Sequence, residues 1–309
     1  MSGQRSYLIG LVGAGIGPSL SPAMHERAAD ELGIRYLYRR LDLDELGLPA
    51  TAIGEILAAA RLAGYDGLNI THPCKQVVIE HLDELSADAA AMGAVNTVVF
   101  TEGRAVGHNT DWSGFARSIA RGLPDATLDR VVLLGAGGAG AAVAHALLTL
   151  GAGVVRILDL DAQRAAALAA ALCARFGAGR AVADRLDDGG AELATALAEA
   201  DGLVHATPTG MAAHPGLPVP VELLRPELWV ADVVYRPLNT QLVTTARARG
   251  CSVLDGGGMA VFQAVDAFRL FTGVEPDAGR MLRHFATLVA DVATEADPTT
   301  EGRTADVRG

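Results

Sequence analysis

The sequence predicts an α/β protein of two units, each with its own sheet, and three observations carry that prediction. Short apolar runs and helix-period segments alternate along nearly the whole chain, the rhythm of an α/β fold. A glycine-rich strand-to-helix turn, Gly135 to Gly140, stands in mid-chain, so the residues before it must build something else. The 309 residues are enough for two domains, and with half of them hydrophobic the chain can bury a sizeable core.

In the first unit, 7–12 (Tyr-Leu-Ile-Gly-Leu-Val) reads as a strand. Ser21-Pro22 then opens a helix, with Ser21 as N-cap and Pro22 at the first helical position, running to about Leu32 and stopping at Gly33. Arg35 to Leu41 is a second strand, Ile53 to Ala63 a helix, and Tyr65 to Ile70 a third strand. Lys75 to Leu85 has a helical pattern, with a shorter helix at Ala87 to Met92. Val95 to Phe100 and Arg104 to His108 form a hairpin over Glu102-Gly103. From Trp112 the texture changes: a helix (Ser113 to Gly122), a Pro-containing link, and a buried strand at Arg130 to Leu134. Strands and helices then alternate at 153–158, 162–176, 180–183, 190–199, 202–206, 229–234, 238–249 and 252–254, as in a doubly wound parallel sheet. Two amphipathic stretches follow, Met259 to Phe271 and Ala278 to Val292, and the polar tail from Thr294 is expected to be disordered.

Composition excludes several classes. The net charge of −11 argues against a nucleic-acid partner, which would call for a basic patch. Cys74, Cys173 and Cys251 are scattered and odd in number, so neither a disulfide framework nor a metal site is expected, and a reducing compartment fits. The short polar N-terminus is no signal peptide, and no stretch reaches the length of a membrane span. The expectation is a cytoplasmic protein, monomer or homodimer, acting on a small molecule.

Two segments look like phosphate-binding loops. Gly13-Ala-Gly15-Ile-Gly17-Pro18 follows a strand and precedes a helix, but Pro18 stands at the third glycine position and has no N–H to offer. Gly135-Ala-Gly137-Gly138-Ala139-Gly140 fits in full, between Val131–Leu134 and a helix at Ala141 to Leu150. Its glycines allow a tight turn, close approach of a pyrophosphate and close helix–strand packing, and the helix N-terminus offers free N–H groups. Asp159 ends the next strand, where a carboxylate accepts hydrogen bonds from ribose hydroxyls and repels a 2′-phosphate. The residues therefore favour NAD over NADP. Asp161 is better placed as a helix N-cap, and Arg164, in that helix, is a candidate phosphate partner.

Asn69-Ile-Thr-His-Pro-Cys-Lys75 is the other informative stretch. A lysine in a neutral polar pocket can give up its proton near neutral pH and serve as a general base. Taken alone, the segment reads equally as a surface turn with a solvated lysine.

Together with Asn69–Lys75, Ser19-Leu-Ser21-Pro-Ala-Met-His25, Gly93-Ala-Val-Asn-Thr97, Gly107-His-Asn-Thr-Asp111 with Gly114, and Gln263 within Met259-Ala-Val-Phe-Gln resemble the shikimate dehydrogenase family over roughly 7–285. The pattern looks most like the NAD-dependent quinate/shikimate branch, because Asp159 stands where NADP-dependent members usually carry a basic motif. The resemblance implies a substrate domain at 1–112, completed by 256–293, a Rossmann-type dinucleotide-binding domain at 113–255, and an active-site cleft between them. It implies Lys75 as the acid/base residue and Asp111 as its partner on the reacting hydroxyl; the two would titrate as a coupled pair. Ser19 and Ser21 would hold the substrate carboxylate, and Asn69, Thr71, Asn96, Tyr235 and Gln263 would supply further polar contacts. Thr207, Val233, Gly256 and Met259 would meet the cofactor near its nicotinamide.

The implied activity is NAD-dependent interconversion of shikimate with 3-dehydroshikimate, and of quinate with 3-dehydroquinate. A non-catalytic sensor of these ligands, or a dehydrogenase of a related polyol such as aminoshikimate, are the alternatives. Three positions depart from the family pattern: Cys74 replaces a frequent aromatic, His205 a common Asn, and Ser21 the Thr of some quinate-using relatives. Cys74 reads as packing, His205 as a strand-end hydrogen-bonder, and His72 and His108 as supporting rather than reacting groups.

Overall fold

The computed structural model describes residues 5–186 and 190–296. The first sheet is built from β1 (Ser6–Gly13), β2 (Arg35–Asp42), β3 (Gly67–Ile70), β4 (Glu84–Leu85), β5 (Thr97–Thr101) and β6 (Arg104–His108), in the order β2-β1-β3-β5-β6-β4. β1 pairs in parallel with both β2 and β3, whereas β3–β5 and β5–β6 are antiparallel. Helices α1 (Ser21–Glu31), α2 (Leu43–Leu46), α3 (Ile53–Leu62) and α4 (Ala87–Met92) connect these strands, and α5 (Asp111–Gly122) leads out of the sheet. The expected hairpin is present: Glu102 and Gly103 both take positive φ, as a tight turn between right-twisted strands requires.

The second sheet is wholly parallel. It contains β7 (Arg130–Leu134), β8 (Val154–Asp159), β9 (Ala181–Arg185), β10 (Gly202–His205), β11 (Trp229–Asp232) and β12 (Ser252–Leu254), in the order β12-β11-β10-β7-β8-β9. The intervening helices are α6 (Gly138–Thr149), α7 (Ala162–Phe176), α8 (Ala191–Ala198) and α9 (Gln241–Ala248). β7, β10 and β11 are buried almost end to end because helices cover both faces, which explains their unbroken apolar runs. The strand order reverses between the parallel neighbours β7 and β10, whose ends meet at Leu134 and His205; ligands of open parallel sheets bind at such a reversal.

The last helices return to the first unit. From α10 (Gly257–Thr272) and α11 (Ala278–Ala296), Val261, Val265, Phe268, Phe271, Met281 and Phe285 share a core with Tyr7, Ile9, Met24, Tyr36 and Tyr38. Burying such a side chain contributes about 1.5–3 kcal/mol, so this core ties β1, α1 and β2 to α10 and α11. α10 also crosses α5 closely: a Cβ on Gly114 would come within 2.7 Å of the Gln263 amide and 2.9 Å of the Met259 carbonyl.

Three local expectations are corrected. Lys75 to Leu85 is not one helix but a turn, a 3₁₀ segment at Val77–His81 and the short β4. The β-branched run Val77-Val78-Ile79 crowds a helical turn, and burial of Val78 fixes the local path instead. Ser21 begins α1 rather than capping it; Leu20 is the N-cap residue, and Ser19 Oγ accepts the Ser21 amide. In the tail, 294–296 still belong to α11, and the remainder lies outside the described residues. Among the described residues no helix is long and apolar enough to cross a membrane.

Candidate active site

The stretch after β3 brings the predicted base to its partner. Lys75 Nζ donates to Asp111 Oδ2 at 2.5 Å, with both side chains largely shielded from solvent. Asp111 is the first residue of α5, where free N–H groups and the helix dipole favour a carboxylate. Its other oxygen, Oδ1, accepts from Asn96 Nδ2 at 2.9 Å. Asn96 also donates to Thr110 Oγ1 and accepts the Thr110 amide, and Asn109 Oδ1 takes the Asp111 amide. The carboxylate is therefore held from both sides, and Lys75 Nζ spends one N–H on it, leaving the rest of its hydrogen-bonding capacity for other partners.

Asn69 and Asn96 interlock beneath the pair. Asn69 Nδ2 donates to the Asn96 carbonyl and to Thr97 Oγ1, while Asn69 Oδ1 accepts from the Tyr38 hydroxyl at 2.8 Å. Tyr38 belongs to an aromatic cluster with Tyr36, His25 and Phe268. Burial drives the His25 imidazole down to about 3, so it stays neutral, and its Nδ1 lies 3.0 Å from the Tyr36 hydroxyl. Sequence reasoning missed Tyr38: only β2 pleating places it under Asn69, and it belongs to no motif.

The remaining predicted substrate contacts lie on elements of both units. Ser19 and Ser21 sit at the entry to α1, on a loop gripped by two guanidiniums: Arg40 donates to the Ser19 carbonyl at 3.2 Å, and Arg236, from the second unit, donates to the Pro18 carbonyl. Arg236 follows Tyr235, whose phenol is raised by burial, with Arg236 opposing and the nearby Asp111 charge adding to the rise. Gln263, on α10, spends its Nε2 on the Ala260 carbonyl, and its backbone packs against Gly114. Thr71 lies against the first glycine loop, where a Cβ on Gly13 would fall 2.3 Å from Thr71 Cγ2. Cys74 is fully buried in the core of the first sheet and its thiol is pushed up by burial, as a packing residue would be. His108 is lowered by burial and has no part in the Lys75–Asp111 contact.

The two glycine loops differ. At the first, the amides of Gly15, Ile16 and Gly17 all donate to the buried carboxylate of Asp42, at 3.0, 2.7 and 3.1 Å. That loop's anion is the chain's own residue. At the second, Gly135 has φ +101 and a Cβ there would lie 2.7 Å from the Ala206 carbonyl, while one on Gly140 would lie 2.0 Å from the Gly135 carbonyl. These two glycines serve the turn and helix–strand packing. A Cβ on Gly137 would meet nothing within 4 Å, so this glycine opens on free space. No side chain caps α6, which begins at Gly138. An open glycine beside uncapped N-terminal amides fits a pyrophosphate, with Gly138 and Ala139 in the first turn. A Cβ on Gly138 would lie 3.8 Å from Lys75 Cδ, so the loop looks directly onto the lysine.

Thr207 follows β10 and leans on Gly135. A Cβ on Gly256 would come within 2.6 Å of the Val233 and Val234 carbonyls, and Met259 lies on α10 beside Gly114. The predicted nicotinamide-side residues thus gather around the sheet reversal. Among the described residues, no group of three His, Cys, Asp or Glu side chains is placed to hold a metal ion.

Asp159 does not present a free carboxylate. It accepts the amides of Ala136 at 2.6 Å and Asp161 at 2.8 Å, and is bound twice by Arg164, at 2.6 and 3.3 Å. Burial pushes the Asp159 carboxyl up, but the Arg164 guanidinium and the two amides outweigh it and hold the carboxyl below the usual range. Asp161 caps α7 through the Gln163 and Arg164 amides, as expected. Arg164 stays half exposed, so its cation reaches the surface at the strand end.

Comparison with known proteins gives this arrangement its context. Residues 11–98 match the family described as shikimate dehydrogenase substrate binding domain, and 256–284 match the shikimate 5'-dehydrogenase C-terminal domain. The chain is 67% identical to the shikimate dehydrogenase (NADP(+)) of Streptomyces avermitilis, over 94% of this chain and 98% of that protein. It is 51% identical to the quinate/shikimate dehydrogenase (NAD(+)) of Corynebacterium efficiens, over 92% and 99%. The structure of quinate dehydrogenase from Corynebacterium glutamicum in complex with NAD superposes with a TM-score of 0.85 at 48% identity, covering 91% of this chain and 99% of that one. The expected preference for NAD over NADP is corrected by these findings. The relative at 67% is named as an NADP(+) enzyme, and the Asp159 carboxylate on which the expectation rested is already engaged by Arg164 and two amides.

Proposed function

The chain belongs to the shikimate dehydrogenase family, and on that premise we propose that it oxidises shikimate to 3-dehydroshikimate, and reduces it back, with a nicotinamide dinucleotide. The 2.5 Å contact between Lys75 and Asp111 carries this reading, because it sets an acid/base pair beside the open glycine loop. We propose the same division of labour as the motifs suggested: 1–112 with 256–293 for the substrate, and 113–255 for the nucleotide.

The chemistry follows from the residues. The hydroxyls of Ser19 and Ser21 hold the substrate carboxylate, and Tyr235, Gln263 and Thr71 fix the ring so that one hydroxyl reaches Lys75. Asn69 and Asn96 keep the pair below rigid. Lys75 Nζ takes the proton from the reacting oxygen, while Asp111 aims the amine. A nicotinamide dinucleotide held at Gly137, Gly138 and Ala139 would supply the hydride acceptor. Shelter from water keeps the pair's electrostatics strong. In reverse, Lys75 returns the proton. The same polar set accepts the extra hydroxyl of quinate, and relatives about half identical carry both substrates in their names. The Lys75–Asp111 contact favours chemistry over a sensor that only binds these ligands.

The names of the 59–67% relatives make NADP(+) the cofactor of this reading. Arg164, clamped by Asp159 and half exposed, is the cation we assign to the 2′-phosphate. Initial rates with shikimate and with quinate, each with NADP(+) and NAD(+), test the whole. Shikimate-dependent NADPH formation is expected, and Arg164→Ala raises the KM for NADP(+) roughly tenfold, the worth of one charge-assisted hydrogen bond, with a smaller effect on NAD(+). Wild-type protein that reduces neither nucleotide with either substrate would falsify the proposal. An unaltered NADP(+) response in Arg164→Ala would remove the assignment of the arginine.

A further inference from the structure

The ends of β10 and β11 carry a buried polar chain that the reaction scheme above leaves unused. His205 and Asp232 are register partners on these strands, and both are fully shielded from solvent. His205 Nδ1 lies 2.9 Å from Asp232 Oδ1, and His205 Nε2 lies 2.5 Å from Thr207 Oγ1. Both carboxylate oxygens are engaged by donors: Oδ1 also takes the Val234 amide at 3.0 Å, and Oδ2 takes the Thr240 hydroxyl at 2.7 Å. Thr240 in turn caps α9 through the Val243 amide.

We infer that His205 and Asp232 are positioning residues that fix which way the Thr207 hydroxyl points in the cofactor site. The inference rests on the reading of Thr207 as a cofactor contact. A carboxylate only accepts, so the ring nitrogen facing it carries the proton. In the neutral imidazole the other nitrogen, Nε2, is then an acceptor, and the Thr207 hydroxyl must donate to it. With its hydrogen committed inward, Thr207 Oγ1 turns its lone pairs outward. One is shared with the Thr209 amide at 3.3 Å, a long contact, and the other is offered to a ligand donor such as a carboxamide N–H. A free threonine hydroxyl would divide its time between donating and accepting. The Asp232 oxygen that fixes the imidazole also holds the Val234 amide, next to Tyr235. One carboxylate therefore sets both the cofactor-side turn and the turn that delivers a substrate contact.

The test uses the full chain, with NADPH as the probe. NADPH binding is followed by fluorescence titration, steady-state constants are measured for shikimate and NADP(+), and ring ¹⁵N shifts report the tautomer of His205. H205N keeps a group facing Asp232 but is too short to reach Thr207, and it is expected to weaken NADPH binding about tenfold. H205Q places an amide oxygen where Nε2 was and restores most of that loss. T207V matches H205N, the double variant is no weaker than either, and the KM for shikimate stays at its wild-type value. In the wild type, the ¹⁵N shifts show the proton on Nδ1. H205N that loses thermal stability but binds NADPH as the wild type does overturns the inference, and so does a proton found on Nε2. T207V with unaltered NADPH binding removes the premise about Thr207. A weakened T207V beside an unaffected H205N removes the inference alone. Should H205N fail to fold, the T207V titration and the wild-type tautomer still decide.

Discussion

The two glycine-rich loops are built alike and used differently. Each follows a parallel strand, opens a helix, and meets an aspartate at the end of the neighbouring strand: Asp42 beside the Gly13 loop and Asp159 beside the Gly135 loop. At the first, the aspartate takes three successive loop amides and closes the nest. At the second it takes one loop amide and turns its remaining capacity to Arg164 and Asp161, leaving Gly137 open and α6 uncapped. The motif therefore decides less than the number of amides its own aspartate consumes. Both loops frame the same segment: Gly13 abuts Thr71, and Gly138 faces Lys75.

The largest test strikes the point where the two frames converge. Lys75→Met keeps the methylenes beside Gly138 but removes the amine. It is expected to lower kcat by roughly 10²–10⁴-fold, the usual worth of a positioned acid/base, with NADPH binding retained in fluorescence titration. Turnover near the wild-type rate would break the assignment of the lysine.

A pair of substitutions sharpens the contrast between the loops themselves. In Gly137→Ala the new methyl meets no protein atom within 4 Å. Its unfolding midpoint should be unmoved while NADPH binding weakens roughly tenfold, one charge-assisted hydrogen bond's worth. Asp42→Asn should do the opposite: stability falls by about 1–3 kcal/mol as the amide nest loses its charge, and nucleotide binding is unchanged. If both variants lost stability and neither lost affinity, the two loops would be equivalent and the comparison would fail.

The smallest test concerns acid. His25, in the substrate-side core, is depressed from the ordinary 6.5 to about 3 by burial. Between those values the unfolded chain binds the proton and the native state does not, so stability is lost as pH falls from 6.5 towards 3. The slope is at most about 1.4 kcal/mol per pH unit. His25→Gln keeps an acceptor for Tyr36 without titrating, and denaturant unfolding at pH 7 and pH 5 should show a flatter loss for the variant. Equal losses in the two proteins would mean that His25 does not govern the acid limb.

Features set by local spacing were legible in the sequence. The turn at Gly135, the hairpin over Glu102-Gly103, the Asp161 cap and the alternation of strands and helices in the second half all follow from short-range rules. Features that join distant residues were not. Tyr38 reaches Asn69, and His205 reaches Asp232, only after the sheets have formed. The Asp159 error has the same origin. Its position at a strand end could be read, but its occupation by Arg164 depends on how α7 leaves its cap. Lys75 to Leu85 was misread because a 3.6-residue pattern says nothing of β-branched crowding.

The core shared by the first strands with α10 and α11 bears on how the chain is made. A ribosome releases β1, α1 and β2 long before the phenylalanines of α10 that cover them. The sheet carrying the open glycine loop lies wholly between, and can close on itself as it emerges, since domains fold as units during synthesis. The substrate-side sheet must wait, its apolar face uncovered, until the final helices leave the exit tunnel. Nascent chains of this protein thus hold a finished parallel-sheet unit beside an unfinished partner, and Lys75 and Asp111 are set in their final frame only after α10 and α11 have emerged.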